Sequence, residues 1–146
     1  MIIKITDQPL DMGELTQAVT HESNGGYVTF WGVVRRWNDG PDGTPRRVDW
    51  LEYEAYQEAA EQIMRQIAAE IEQKWGITYV AMAHRVGHLA VGEPAVGVAI
   101  GAPHRGEAFD ACEYAIDTLK ANAPIWKKES WEDLGGTAGN SWVENK

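Results

Sequence analysis

Two short segments gather the residues best suited to hold an anion and move a proton beside it. One is Gly101-Ala102-Pro103-His104-Arg105-Gly106; the other runs from Lys120 to Glu129 and carries Lys120, Lys127 and Lys128. The chain has 22 Asp+Glu against 13 Lys+Arg, a formal net charge of -9, so its overall field repels anions and a local cationic knot needs its own explanation. His104 and Arg105 fall where a strand gives way to a helix. Free backbone N–H groups and the helix dipole favour negative charge there. A guanidinium adds a fork that fits phosphate or carboxylate, and an imidazole can move a proton near neutral pH. The plainer alternative pairs Arg105 with Glu107 or Asp110 and leaves His104 at the turn.

Lys120 stands near the end of the same helix, where a cation compensates the dipole. Lys127 and Lys128 follow Pro124 on a segment that has to turn away and could fold back, or could simply carry solvated charge. If two such lysines share a pocket, burial and mutual repulsion lower their pKa values and make one a base or nucleophile. Other chemistries find little support. His84 and His88 read as strand and loop with no acidic third ligand, so no metal site is expected. The serines Ser23, Ser130 and Ser141 lie in no nucleophile elbow. The glycines of 87–92 lack a P-loop lysine, and no dinucleotide fingerprint occurs, so no cofactor is called for.

Bulk properties narrow the class. A chain of 146 residues with one cysteine fits a single domain, 1–146, without a disulfide framework. Cys112, among apolar residues of a helix, reads as an inert core thiol. The acidic balance argues against nucleic acid, and the lack of an apolar run or signal-like start argues for a cytoplasmic protein away from membranes. Seven tryptophans are many for this length and suggest a partner surface.

The elements that must position these residues follow from periodicity. Short strands are expected at 1–5, 27–34, 48–55, 77–86, 95–102 and 125–131. Helices are expected at 10–20 (weakly), 56–75 and 105–122. Residues 37–45, with two Asp/Gly turn signals and two prolines, read as an exposed loop, and 134–140 as a flexible stretch. Hairpins alternating with helices predict an α+β fold around a mainly antiparallel sheet with flanking helices.

The ordered set Thr29-Phe30-Trp31-Gly32-Val33-Val34-Arg35, Leu51-Glu52-Tyr53-Glu54-Ala55-Tyr56, His84-Arg85-Val86-Gly87, His104-Arg105, Leu119-Lys120 and Pro124-Ile125-Trp126-Lys127-Lys128-Glu129 resembles the large, catalytic subunit of molybdopterin synthase. The resemblance covers about Gly25 to Trp131. It implies an α/β hammerhead fold with a small added antiparallel sheet. It also implies a sulfurtransferase that converts a cyclic pyranopterin monophosphate into dithiolene molybdopterin. The sulfur would arrive as a thiocarboxylate on the Gly-Gly tail of a small ubiquitin-like subunit, in a heterotetramer built on a homodimer of the large subunit. By the same resemblance Lys120 and Lys127 are the active-site lysines. Arg35, His104 and Arg105 are pterin-phosphate ligands, and Val33, Val34, Lys128 and Glu129 line the site. The chain departs from the pattern at Ser141, where some relatives carry an arginine. Two other readings remain compatible with the residues alone: a non-catalytic subunit that binds a partner's extended tail, and an unrelated phosphate-ester enzyme using the same cations.

Overall fold

A computed structural model describes residues 1–145. Among these, nine strands and three helices form two sheets with helices on one of them, an α+β architecture. The first sheet has the order β1 (Ile2–Thr6), β5 (Tyr79–Arg85), β7 (Pro94–Ala102), β2 (Gly26–Val33). Only β1 and β5 run parallel; β5–β7 and β7–β2 are antiparallel. The second sheet has the order β3 (Trp37–Asp39), β4 (Pro45–Ala55), β8 (Ile125–Asp133), β9 (Ala138–Val143), with β6 (Gly87–Ala90) also paired to β4.

The first sheet is covered on both faces, which is why β7 is buried at almost every position rather than at alternate ones. One face holds α1 (Met12–Ala18), whose Leu15 packs with Val19, Ala81, Ala83 and Ala99. That helix lies close because the strand beneath it is small: a Cβ on Gly97 would meet Leu15 at 2.8 Å. The other face holds α2 (Gln57–Trp75) and α3 (Arg105–Asn122), which also pack on each other. In α2 the buried residues Ala60, Met64, Ile67, Ala68 and Ile71 repeat at helical spacing, and Gly76 ends the helix in the left-handed region at φ 68. In α3 the inward face is Ala108, Ala111, Cys112, Ala115, Ile116 and Leu119, small enough at four positions to sit near the strands. Pro124 follows one residue after the extended C-cap Ala123, so the chain leaves α3 and enters β8 at once.

The second sheet extends beyond the expected elements. The 37–45 segment is not all loop: β3 pairs with the start of β4, which begins at Pro45 rather than Val48. Residues 87–90 form β6 instead of loop, and 138–143 form β9, covering part of the stretch expected to be flexible. Glycine, asparagine and alanine carry little strand propensity of their own. Here they are held by a ladder to a longer neighbour, a tertiary effect that local composition does not encode.

Candidate active site

At the seam between the sheets lies a cavity of about 160 Å³. Its polar wall brings together Arg35, Asn38, His84, Lys120, Lys127 and Glu129. Each comes from a defined place. Lys120 is in the last turn of α3. Lys127 and Glu129 are two apart on β8 and so face the same side. His84 is near the end of β5, and Arg35 follows β2. The apolar remainder includes Val33, Leu51 and Tyr53. A neighbouring groove of about 460 Å³ shares Arg35, Asn38 and Lys127 with the cavity and continues toward Ser141 and Val143. Asn145 also lines the cavity, so the C-terminal segment borders it.

The cations differ in what acts on them. Lys120 is depressed below the usual lysine range first by burial, then by the charges of Lys127 and Arg35. Lys127 is depressed as well, first by burial and also by Arg35, with the Glu129 carboxylate pulling the other way. Glu129 is 2% exposed. It accepts a hydrogen bond from Asn38 Nδ2 at 3.0 Å, while Asn38 Oδ1 accepts one from Arg35 Nη2 at 3.2 Å. Asn38 thus ties the guanidinium to the buried carboxylate on the far strand.

Behind the lysines, His84 is 2% exposed and packs edge-on to Tyr53, ring centroids 4.9 Å apart. Burial holds the imidazole down to about 4 and pushes the Tyr53 phenol up to about 12, so both are neutral near pH 7. The thiol of buried Cys112 is pushed up to about 11 and lines no part of the cavity, which makes it a poor sulfur nucleophile.

Several expected site residues are therefore assembled, and others are not. Lys120, Lys127, Arg35, Val33 and Glu129 share the cavity. Val34 is buried beside it with its backbone already used: its N–H donates to Glu93 O at 3.1 Å and its carbonyl accepts from Gly92 N at 2.8 Å. Lys128 does not line the cavity. Strand alternation turns it from Lys127 toward Trp142, with Nζ 5.8 Å from that ring. His104 and Arg105 sit at the opposite end of α3, exposed, with Arg105 fifteen residues and about 22 Å of helix rise from Lys120. Within one chain no side chain bridges that gap. Asn38 and Tyr53 were not picked out for roles in the sequence, and His84 was weighed there only as a metal ligand and set aside. Tyr53 and His84 lay inside motifs that carry the resemblance, but Asn38 sits in an Asn-Asp-Gly run that reads as a turn.

The described side chains offer no cluster of three His, Cys, Asp or Glu for a metal ion. What the cavity offers is donors for an anion and two lysines both depressed below the usual range, one of them beside a carboxylate that opposes the shift. That combination can be set beside known proteins. The family model described as MoaE protein matches residues 5–122. The chain belongs to the MoaE family. It is 47% identical over 140 residues to the molybdopterin synthase catalytic subunit of a Nostoc species, covering 95% of this chain and 79% of that one. It is 43% identical over 140 residues to the Bacillus subtilis subunit of the same name, covering 96% and 83%. Among solved structures, molybdopterin synthase from Staphylococcus aureus superposes with a TM-score of 0.86 at 38% identity, covering 97% of this chain and 96% of that one. A complex of subunits 1 and 2 of the molybdopterin-converting factor from Helicobacter pylori matches at a TM-score of 0.70 and 25% identity, over 86% and 82% of the two chains. The cavity of this MoaE-family chain lies in part beyond the family match, since Lys127 and Glu129 are on β8.

Proposed function

We propose that this chain is the catalytic subunit of a molybdopterin synthase. It converts a cyclic pyranopterin monophosphate to dithiolene molybdopterin with sulfur from the thiocarboxylated Gly-Gly tail of a small ubiquitin-like subunit. The observation that carries the reading is the pair Lys120 and Lys127 in one cavity with Arg35, in a chain of this family. Two thiocarboxylate sulfurs are needed. Each forms a bond to one side-chain carbon of the pterin as a carbon–oxygen bond there breaks, the oxygen leaving on the opened cyclic phosphate in one case and as water in the other. Water then cleaves each acyl–sulfur bond, leaving sulfur on the product and a carboxylate on the tail. Lys120, depressed by burial and by two neighbouring cations, moves the proton. Lys127, which burial and Arg35 depress and Glu129 draws back toward its charged form, stabilises the developing oxyanion when protonated.

The assembly in this reading is a homodimer carrying two small subunits, in the cytoplasm. Four tryptophans, Trp31, Trp37, Trp126 and Trp142, are exposed, which supports extensive partner surfaces. No helix among the described residues is long and apolar enough to cross a membrane. For His104 and Arg105 to bind substrate phosphate in this cavity they must come from a second copy of the chain, so their role rests on the dimer. The deciding experiment combines the purified chain with thiocarboxylated small subunit and cyclic pterin. Dithiolene product is expected. Binding of the small subunit without any product would favour a tail-binding subunit instead.

A further inference from the structure

His84 is a wall of the lysine cavity to which the mechanism above gives no task. Its Nδ1 lies 2.8 Å from the carbonyl oxygen of Arg85. A carbonyl only accepts, so Nδ1 carries the proton, and in the neutral ring Nε2 is left with a lone pair. His84 lines the cavity, and with Nδ1 committed to the backbone, Nε2 is the ring nitrogen left to accept from what the cavity holds. Edge packing on Tyr53 and the bond to the β5 backbone fix the ring's orientation.

The composition of the wall gives that lone pair a purpose. Arg35, Lys120 and Lys127 can only donate. The Asn38 oxygen is taken by Arg35 and the Asp39 N–H, and the Glu129 carboxylate, its Oε2 on the Asn38 amide, is a charged acceptor drawn to Lys127. An anionic group satisfies the cations, but a heterocycle that brings N–H groups as well needs an acceptor. A neutral nitrogen supplies one without drawing the cations into an ion pair. We propose that His84 is a substrate-contacting residue: its Nε2 accepts a hydrogen bond from a ring N–H of the pterin lodged beside Lys120 and Lys127. This rests on the synthase reading.

Two substitutions separate the two edges of the ring. His84→Asn keeps a donor where Nδ1 meets the Arg85 carbonyl but has nothing at the Nε2 position. His84→Gln reaches the Nε2 position with an oxygen. Binding of cyclic pyranopterin monophosphate is measured by calorimetry on the complex with the small subunit, with inorganic phosphate as a control ligand and near-UV circular dichroism to verify folding. His84→Asn is expected to weaken the pterin roughly tenfold or more while phosphate and small-subunit affinity stay within about twofold. Folded His84→Gln should bind the pterin more tightly than His84→Asn does. Pterin affinity of His84→Asn equal to wild type overturns the proposal, as does a parallel loss of phosphate binding. A folded Gln variant no better than Asn overturns it too. If wild type itself fails to bind the pterin, the synthase reading fails and this contact falls with it; if wild type binds and His84→Asn matches it, only the contact fails.

Discussion

The two ends of α3 carry cations in opposite settings. At its N-terminus His104 and Arg105 are exposed, and the helix dipole favours an anion beside them. At its C-terminus Lys120 is half-buried against Lys127 and Arg35 in a cavity between the two sheets. The first end can bind charge but stands exposed to solvent. The second can alter the protonation of what it holds. The difference lies in enclosure: desolvation and like-charge neighbours, rather than the lysine itself, create a reactive amine. The two ends work on one substrate only if a second chain brings them together.

The contrast is broken most completely at the enclosed end. Lys120→Ala should abolish dithiolene formation, a loss on the order of 10²-fold to 10⁴-fold, with the fold intact by circular dichroism. Activity within a few-fold of wild type would remove Lys120 from the chemistry. Lys127→Ala should be nearly as severe and carries a signature of its own. Without the Lys127 charge, Lys120 holds its proton more tightly, so the residual rate should begin to rise at a higher pH than in wild type. A pH–rate profile unmoved by the substitution would mean that the two lysines do not sense each other. Lys128→Ala should cost much less, because that side chain lies toward Trp142.

The exposed end is tested by sharing. Arg105→Ala should weaken the pterin more than the small subunit, since a phosphate contact is charge-assisted. Mixing Arg105→Ala with Lys120→Ala then asks whether sites are built from two chains. If they are, a mixed dimer contains one site with both lesions and one with none, and about a quarter of wild-type activity returns after exchange of subunits. No recovery in verified mixed dimers would confine each site to one chain, and His104 and Arg105 would then serve another purpose.

The sequence showed some of this and hid the rest for physical reasons. Long helices with strict periodicity were legible: α2 was expected at 56–75 and spans Gln57–Trp75, and α3 matches the expected 105–122. Lys127 and Lys128 had both been placed in the site, although strand alternation turns such neighbours to opposite faces. What local pattern could not supply was pairing across the chain. Strands β3, β6 and β9 exist because β4 and β8 offer ladder partners. The missed Asn38 gains its place from a carboxylate 91 residues away. Arg105 and Lys120 were legible as opposite ends of one helix, about four turns apart, but not that this separation keeps His104 and Arg105 out of the lysine cavity of their own chain.

The smallest expected effect comes from the neutral wall behind the lysines. His84 is held at about 4 when folded, against about 6.5 for an unperturbed imidazole. Above pH 6.5 the ring is neutral in both states and its titration costs nothing. As pH falls from 6.5 to 4 the unfolded chain takes up a proton that the folded chain refuses, so stability declines, and below 4 the decline stops. A shift of this size corresponds to about 3 kcal/mol across the window. Urea unfolding at pH 7 and pH 4.5 should therefore show a drop for wild type that is smaller in His84→Asn, which has nothing to titrate there. Comparing the two proteins at each pH cancels the carboxylates they share, including Asp42 and Glu93. Identical pH dependence in both would mean that His84 accepts a proton in the folded cavity despite its burial. The wall behind Lys120 would then carry charge, contrary to the neutral setting in which that lysine was placed.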